Sequence, residues 1–162
     1  MAETAAAVAN YFIDKALEEN RELTPMKLIK LVCLAHAWYL GSIDQPLISE
    51  GVQAWKYGPV IKSLYQSLKR YGGRQLDQDA QIPGERLSEP LPLEGFLDAV
   101  WTEYGQKSGV QLSTLTHQKD SPWDIVWSRN PGRHWVSPTI PDQLIRDYYR
   151  RKVDVIRARQ AA

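Results

Sequence analysis

From Ala5 to Glu19 the apolar positions Ala5, Val8, Ala9, Phe12, Ala16 and Leu17 recur at helical spacing, with Asn10, Asp14, Lys15 and Glu18 largely opposite. That period predicts an amphipathic helix, ended by Asn20 and Arg21. Thr24-Pro25 then supplies an N-cap and a proline preset for a first helical turn. From Met26 to Leu40 nearly every position is apolar. Leu28, Leu31, Val32, Ala35, Trp38 and Tyr39 form the main stripe, and Ile29, Cys33 and Leu40 widen it. A helix apolar on most sides predicts the central element of the fold. Lys27 and Lys30, which share a face with Leu34 and Ala37, read as its solvent edge, and Gly41 as its stop.

The pattern then changes. Val52 to Trp55 reads as a short extended segment, one arm of a small hairpin. Gly58-Pro59 reads as the start of a third helix, running to about Tyr71 with Val60, Ile61, Leu64, Leu68 and Tyr71 inward. Lys62, Ser63, Gln66, Lys69 and Arg70 face outward, and Gly72-Gly73 ends it. In the strip Ala54-Trp55-Lys56-Tyr57, strand alternation puts Trp55 and Tyr57 on one side and Lys56 on the other. The simpler reading buries both rings against the central helix and leaves Lys56 exposed.

Arg74 to Pro90 is polar and punctuated by Pro83-Gly84 and Glu89-Pro90, which predicts a long surface loop. Pro92 to Tyr104 is a helix with Leu93, Phe96, Leu97, Val100, Trp101 and Tyr104 on one stripe. A shorter helix covers about Val110 to His117. Ser121-Pro122-Trp123-Asp124 carries the signals of a helix start, with the helix running to about Ser128. Asn130-Pro131-Gly132 is a turn. Pro141-Asp142 opens the last helix, with Leu144, Ile145, Tyr148 and Tyr149 on its inner face. The pattern predicts a mainly α fold: a single compact helical domain over residues 1–162, with six or seven helices and one short β-hairpin.

Composition narrows the function classes. A chain of 162 residues, 43% hydrophobic and 24% charged, can bury a real core. A formal charge of +1 supplies no global field toward nucleic acid or membrane. Cys33 is the one cysteine, so an internal disulfide is excluded, as expected for a cytoplasmic protein. The stretch from Met1 to Ala9 lacks the features of a secretory signal, and no segment reads as the roughly 18 apolar residues of a membrane span. Six Trp and eight Tyr against two Phe favour half-buried surfaces that a partner can use.

His36, His117 and His134 lack metal-ligand spacing, so no metal is expected. No glycine-rich phosphate loop is present, and no cofactor is expected. His36 lies among apolar positions and reads as a hydrogen-bonded core histidine. His117 reads as a helix-end residue; its closeness in sequence to Asp120 and Ser121 leaves a hydrolase as the weakest alternative. From Arg146 to Arg159 six basic residues face Asp147 and Asp154, a net of +4. This could be a solvated helix end, a nucleic-acid contact through Arg150, Arg151 and Lys152, or a counter-charge for the mildly acidic stretch from Met1 to Glu22.

Three blocks follow one another along the chain. The first is Thr24-Pro25-Met26-Lys27-Leu28-Ile29-Lys30-Leu31 through Ala37-Trp38-Tyr39-Leu40. The second is Ala54-Trp55-Lys56-Tyr57-Gly58-Pro59-Val60 through Leu64-Tyr65. The third is Leu112-Ser113-Thr114-Leu115-Thr116-His117 followed by Ser121-Pro122-Trp123. In this order they resemble the Panacea domain of the SocA-like antitoxin family, some of whose members are phage-associated proteins. The resemblance covers roughly Thr24 to Tyr149.

The resemblance implies a binding protein and no enzyme: an antitoxin that neutralises a cognate toxin, encoded beside it, by direct contact. With the family region starting by Thr24, no separate N-terminal DNA-binding domain is expected. The interface is inferred from the residues. It would comprise the second and third helices, the strip from Trp55 to Pro59 and the loop from Arg74 to Pro90. Its candidate contacts are Lys27, Lys30, Trp55, Lys56, Tyr57, Tyr65 and Arg70. The alternative is a small nucleic-acid-binding or phage-related regulator using Arg150, Arg151 and Lys152.

Overall fold

The computed structural model describes residues 2–162. Its helices are α1 (Ala5–Glu19), α2 (Pro25–Ile43), α3 (Lys62–Leu68), α4 (Pro90–Tyr104), α5 (Gly109–Thr116), α6 (Pro122–Ser128) and α7 (Asp142–Ala161). The strands are β1 (Val52–Trp55), β2 (Gly58–Val60) and β3 (Thr139–Ile140). The fold is mainly α with one small sheet, as the hydrophobic period predicts.

Helix α2 is the centre. The Thr24 hydroxyl accepts the Lys27 N–H at 3.4 Å, and Pro25 opens the first turn. Helices α1, α3, α4, α5 and α7 and strand β2 all pack on it. At 19 residues, α2 is long and apolar enough by composition to cross a membrane, contrary to the sequence reading. The reason is its position: a helix covered on every side must be apolar all round. For the same reason Lys27, Lys30, Leu34 and Ala37 are buried rather than on a solvent edge.

Gly41 does not end α2. The helix runs on to Ile43, and Asp44 stops it with φ 65°. Gly41 instead marks the crossing with α7: a Cβ there would stand 2.7 Å from the backbone carbon of Tyr149. The buried His36 ties the same two helices. Its Nδ1 accepts the Ile48 N–H at 3.4 Å, so its Nε2–H donates to Asp142 Oδ1 at 3.0 Å. This is the hydrogen-bonded core histidine the sequence predicts.

The sheet has strand order β2-β1-β3, antiparallel throughout. Trp55 pairs with Gly58, Ala54 with Pro59 and Gln53 with Val60. Gly58-Pro59 is therefore strand, not the start of a helix. Gly58 adopts φ 117°, and a proline is tolerated in β2 because it is an edge strand. The chain stays extended through Ile61, so α3 begins only at Lys62; a 3₁₀ turn carries it on to Tyr71. Strand β3 has no signal in the hydrophobic pattern. Two residues are too short to show a period.

Residues 74–90 form a long connection, but α1 holds it firmly. The buried Asn10 amide donates to the carbonyl oxygens of Ile82 and Glu85, both at 2.9 Å, and accepts the Ile82 N–H at 2.9 Å. The buried Glu3 carboxylate accepts from the Ser88 N–H and hydroxyl, both at 2.7 Å. Leu76 and Ala80 enter the core. Helix α5 begins with a capping box between Ser108 and Gln111, and α6 with a Ser121 cap followed by Pro122.

Candidate partner-binding groove

A groove of about 450 Å³ opens where the N-terminal turns of α2 meet the β1–β2 hairpin and α3. Helix α2 contributes Pro25, Met26, Ile29 and Lys30. The hairpin contributes Trp55, Lys56, Tyr57 and Val60, and Tyr65, Lys69 and Gly72 close the far side. Ile29 and Val60 are buried beneath it, while Met26, Tyr57 and Tyr65 are 40%, 60% and 41% exposed. Trp55 and Tyr65 pack ring to ring, with centroids 4.8 Å apart and planes tilted by 59°.

Both rings of the strip were expected in the core; the structure puts neither there. In β1 the inward positions are Val52 and Ala54, which leaves Trp55 half-buried on the other face. Tyr57 lies in the turn beyond β1, where strand alternation no longer applies. Lys56 is exposed as expected, with its Nζ 5.5 Å from the Tyr57 ring centroid.

Three side chains hold this hairpin from behind. The Trp123 indole N–H donates to the Trp55 carbonyl oxygen at 2.6 Å. The Ser113 hydroxyl donates to that of Tyr57 at 2.5 Å, and the Lys30 ammonium to that of Pro59 at 2.7 Å. The donors come from α6, α5 and α2, and the acceptors are alternate residues of one strip. Buried carbonyls and donors need partners, and here each supplies the other. The hairpin is thus a rigid platform that presents Lys56 and Tyr57 to solvent.

Burial shapes the electrostatics of this region. Lys30 has no carboxylate beside it, and burial lowers its amine to about 8. The Cys33 thiol, 3.7 Å from the Pro59 oxygen, is pushed up to about 12 by burial. Lys27 lies away from the groove. Its ammonium donates to the carbonyl oxygens of Glu22 at 2.8 Å and Gly105 at 2.5 Å, and burial followed by the nearby Arg21 charge lowers its pKa.

Five of the seven candidate contacts, Lys30, Trp55, Lys56, Tyr57 and Tyr65, line one groove. Lys27 and Arg70 do not. Arg70 donates to the Asp79 carbonyl oxygen at 2.9 Å and lies 5.0 Å over the Tyr71 ring. The loop of residues 74–90 contributes nothing to the groove, because it packs on α1. Met26 and Lys69, which the candidate set lacks, complete it. The available sequence signal was position: Met26 directly follows the Thr24-Pro25 helix start, and Lys69 stands four residues after Tyr65.

Arg150, Arg151 and Lys152 fan around α7, since consecutive helical residues turn by about 100°. Arg150 is half-buried and Arg151 exposed, while Lys152 Nζ lies 4.9 Å over the Tyr148 ring. Among the described residues, the arginine ion pairs of α7 run from Arg146 to Asp44 and, at 3.1 Å, to Asp147, not to the acidic N-terminal stretch. His117 caps α5 and meets the Ser113 carbonyl oxygen and the Trp123 ring. The Ser121 hydroxyl accepts the Asp124 N–H at 3.2 Å, so it serves as a helix cap. Among the described residues, no group of three or more His, Cys, Asp and Glu side chains is placed to hold a metal.

Comparison with known proteins gives two matches and one blank. The family model described as "Antitoxin SocA-like, Panacea domain" matches residues 28–124. The curated protein Antitoxin SocA of Caulobacter vibrioides (strain NA1000 / CB15N) is 29% identical over 162 residues, covering 93% of this chain and 85% of the relative. No solved structure matches significantly.

Proposed function

We propose that this chain, which belongs to the SocA-like antitoxin family with the Panacea domain, neutralises a toxin by binding it directly at the groove between α2, the β1–β2 hairpin and α3. The observation that carries this reading is the rigid hairpin with its exposed aromatic rings. Exposed Tyr57, Tyr65 and Met26 side by side form an apolar patch of the kind that marks a protein contact. The clamp by Lys30, Ser113 and Trp123 fixes that patch before any partner arrives, which lowers the ordering cost of binding. Inhibition in this reading is by occupation of a toxin surface, with no bond made or broken.

The test is coexpression. The reading frame beside this one is expressed alone and together with the chain, and growth and co-purification are followed. Toxicity relieved by the chain, with a stable complex, is the expected result. A harmless neighbour, or relief without any complex, contradicts direct neutralisation.

A further inference from the structure

We infer that the groove takes an acidic segment of the partner polypeptide, one that inserts an apolar side chain between Met26 and Tyr65 and meets Lys56 and Lys69 with flanking carboxylates. This rests on the direct-contact reading above and adds the chemistry of the segment.

Charge is the first support. The groove is lined by Lys30, Lys56 and Lys69 and by no carboxylate. The opposite sign prevails elsewhere: a second depression, over α1 and α4, holds Asp14, Glu18, Glu85, Glu94 and Asp98 against Lys15 and Arg86. A formal charge of only +1 thus hides separate acidic and basic regions, the groove and the end of α7 being the basic ones. Complementary charge steers an acidic segment to the lysine side and turns away a basic one.

The backbone is the second. An extended peptide could add to the sheet only along β2, its edge on this side. Pro59 has no N–H to offer there, and its carbonyl oxygen is already taken by Lys30. The segment is therefore read by side chains, as a helix or turn in a groove, and not by strand addition.

The third support separates a polypeptide from a nucleic acid. Aromatic rings with lysines also suit single strands, where bases stack on open ring faces. Here Trp55 and Tyr65 lie 4.8 Å apart and cover one another. Of the remaining lining, Met26, Ile29 and Val60 are aliphatic, and the one open ring, Tyr57, has the Lys56 ammonium 5.5 Å from its centroid. That offers a socket for an apolar side chain and little for a base.

The experiment uses the intact chain and the toxin from the neighbouring frame, with affinity measured at low and high salt. The variants are Lys56→Glu/Lys69→Glu and Tyr65→Ala, all at exposed positions, with thermal melts to confirm folding. Charge reversal is expected to weaken binding about tenfold or more at low salt and to flatten the salt dependence. Tyr65→Ala is expected to weaken it about thirtyfold or more at any salt. A toxin variant with its acidic segment changed to lysine should recover affinity for the charge-reversed chain. If the wild-type complex forms and these variants bind unchanged, the assignment of groove and segment fails while direct neutralisation stands. If no complex forms, both fail. If a fluorescein-labelled single-stranded oligonucleotide binds the wild type and not the charge-reversed variant, the polypeptide assignment is overturned in favour of nucleic acid.

Discussion

The ammonium of Lys30, on the most buried helix of the protein, donates to the carbonyl oxygen of Pro59, on the edge strand, at 2.7 Å. No carboxylate offsets the buried charge. The bond completes a series in which Trp123, Ser113 and Lys30 take the carbonyls of residues 55, 57 and 59. One of these carbonyls is on the edge strand, one in the turn and one on the central strand, so the β1–β2 hairpin is held at three points along its length.

The buried amine makes stability depend on pH with a definite sign. Lys30 loses its proton near pH 8 when folded, well below its unfolded value. The unfolded chain therefore holds the proton more tightly, and the folded state bears the full cost of the charge below pH 8. That cost disappears as pH rises from about 8 toward the ordinary lysine value of about 10.4. Lys30→Met removes the titration. The stability of the variant minus that of wild type should be constant below pH 8 and fall by about 3 kcal/mol across the window above it. Cys33 titrates in both proteins and largely cancels in the difference. Urea denaturation of both proteins through the window checks this.

Trp123→Phe keeps a ring in place and removes the donor to the Trp55 carbonyl. Trp55 keeps its ladder pairing with Gly58, so the loss of this hydrogen bond should cost about 0.5–1.5 kcal/mol. Ser113→Ala should cost a similar amount through the Tyr57 carbonyl. Both should also loosen the turn, read as faster amide exchange at Lys56 and Tyr57. Lost stability with unchanged exchange there would deny the clamp its positioning role.

Two glycines are irreplaceable for different reasons. At Gly58, φ 117° strains any L side chain, and Gly58→Ala should cost about 1–3 kcal/mol. At Gly41 the backbone is helical, but a methyl group would meet the Tyr149 backbone at 2.7 Å. Gly41→Ala should cost about 1–3 kcal/mol by forcing α2 and α7 apart. Thermal melts check both; a Gly41→Ala protein as stable as wild type would mean that α7 shifts freely on α2.

The helices were legible because their apolar period is long. α1, α4 and the start of α6 lie within a residue or two of where pattern and caps put them. The neighbourhood of the groove was less so. Gly58-Pro59 carries the marks of a helix start, and only pairing with Trp55 and Ala54 makes it a strand. Lys27 and Lys30 carry the marks of a surface, because a sequence does not show which backbone carbonyl will receive a buried ammonium. The three blocks did hold the answer in another form. Lys30 belongs to the first, Trp55, Tyr57 and Pro59 to the second, Ser113 and Trp123 to the third, and the clamp is where the blocks meet. Arg70, expected among the outward residues of the third helix, lies in the 3₁₀ turn after Leu68 and donates to the Asp79 carbonyl oxygen.

Arg70 therefore serves as the internal control for the central claim. The most direct measurement is the affinity of the neighbouring toxin for wild type, Tyr65→Ala and Arg70→Ala, by titration calorimetry on folded proteins. Tyr65 lies in the groove and Arg70 outside it. The account predicts a loss of about 2 kcal/mol or more for Tyr65→Ala, with Arg70→Ala close to wild type. Equal affinities for all three, or a loss confined to Arg70→Ala, would contradict it.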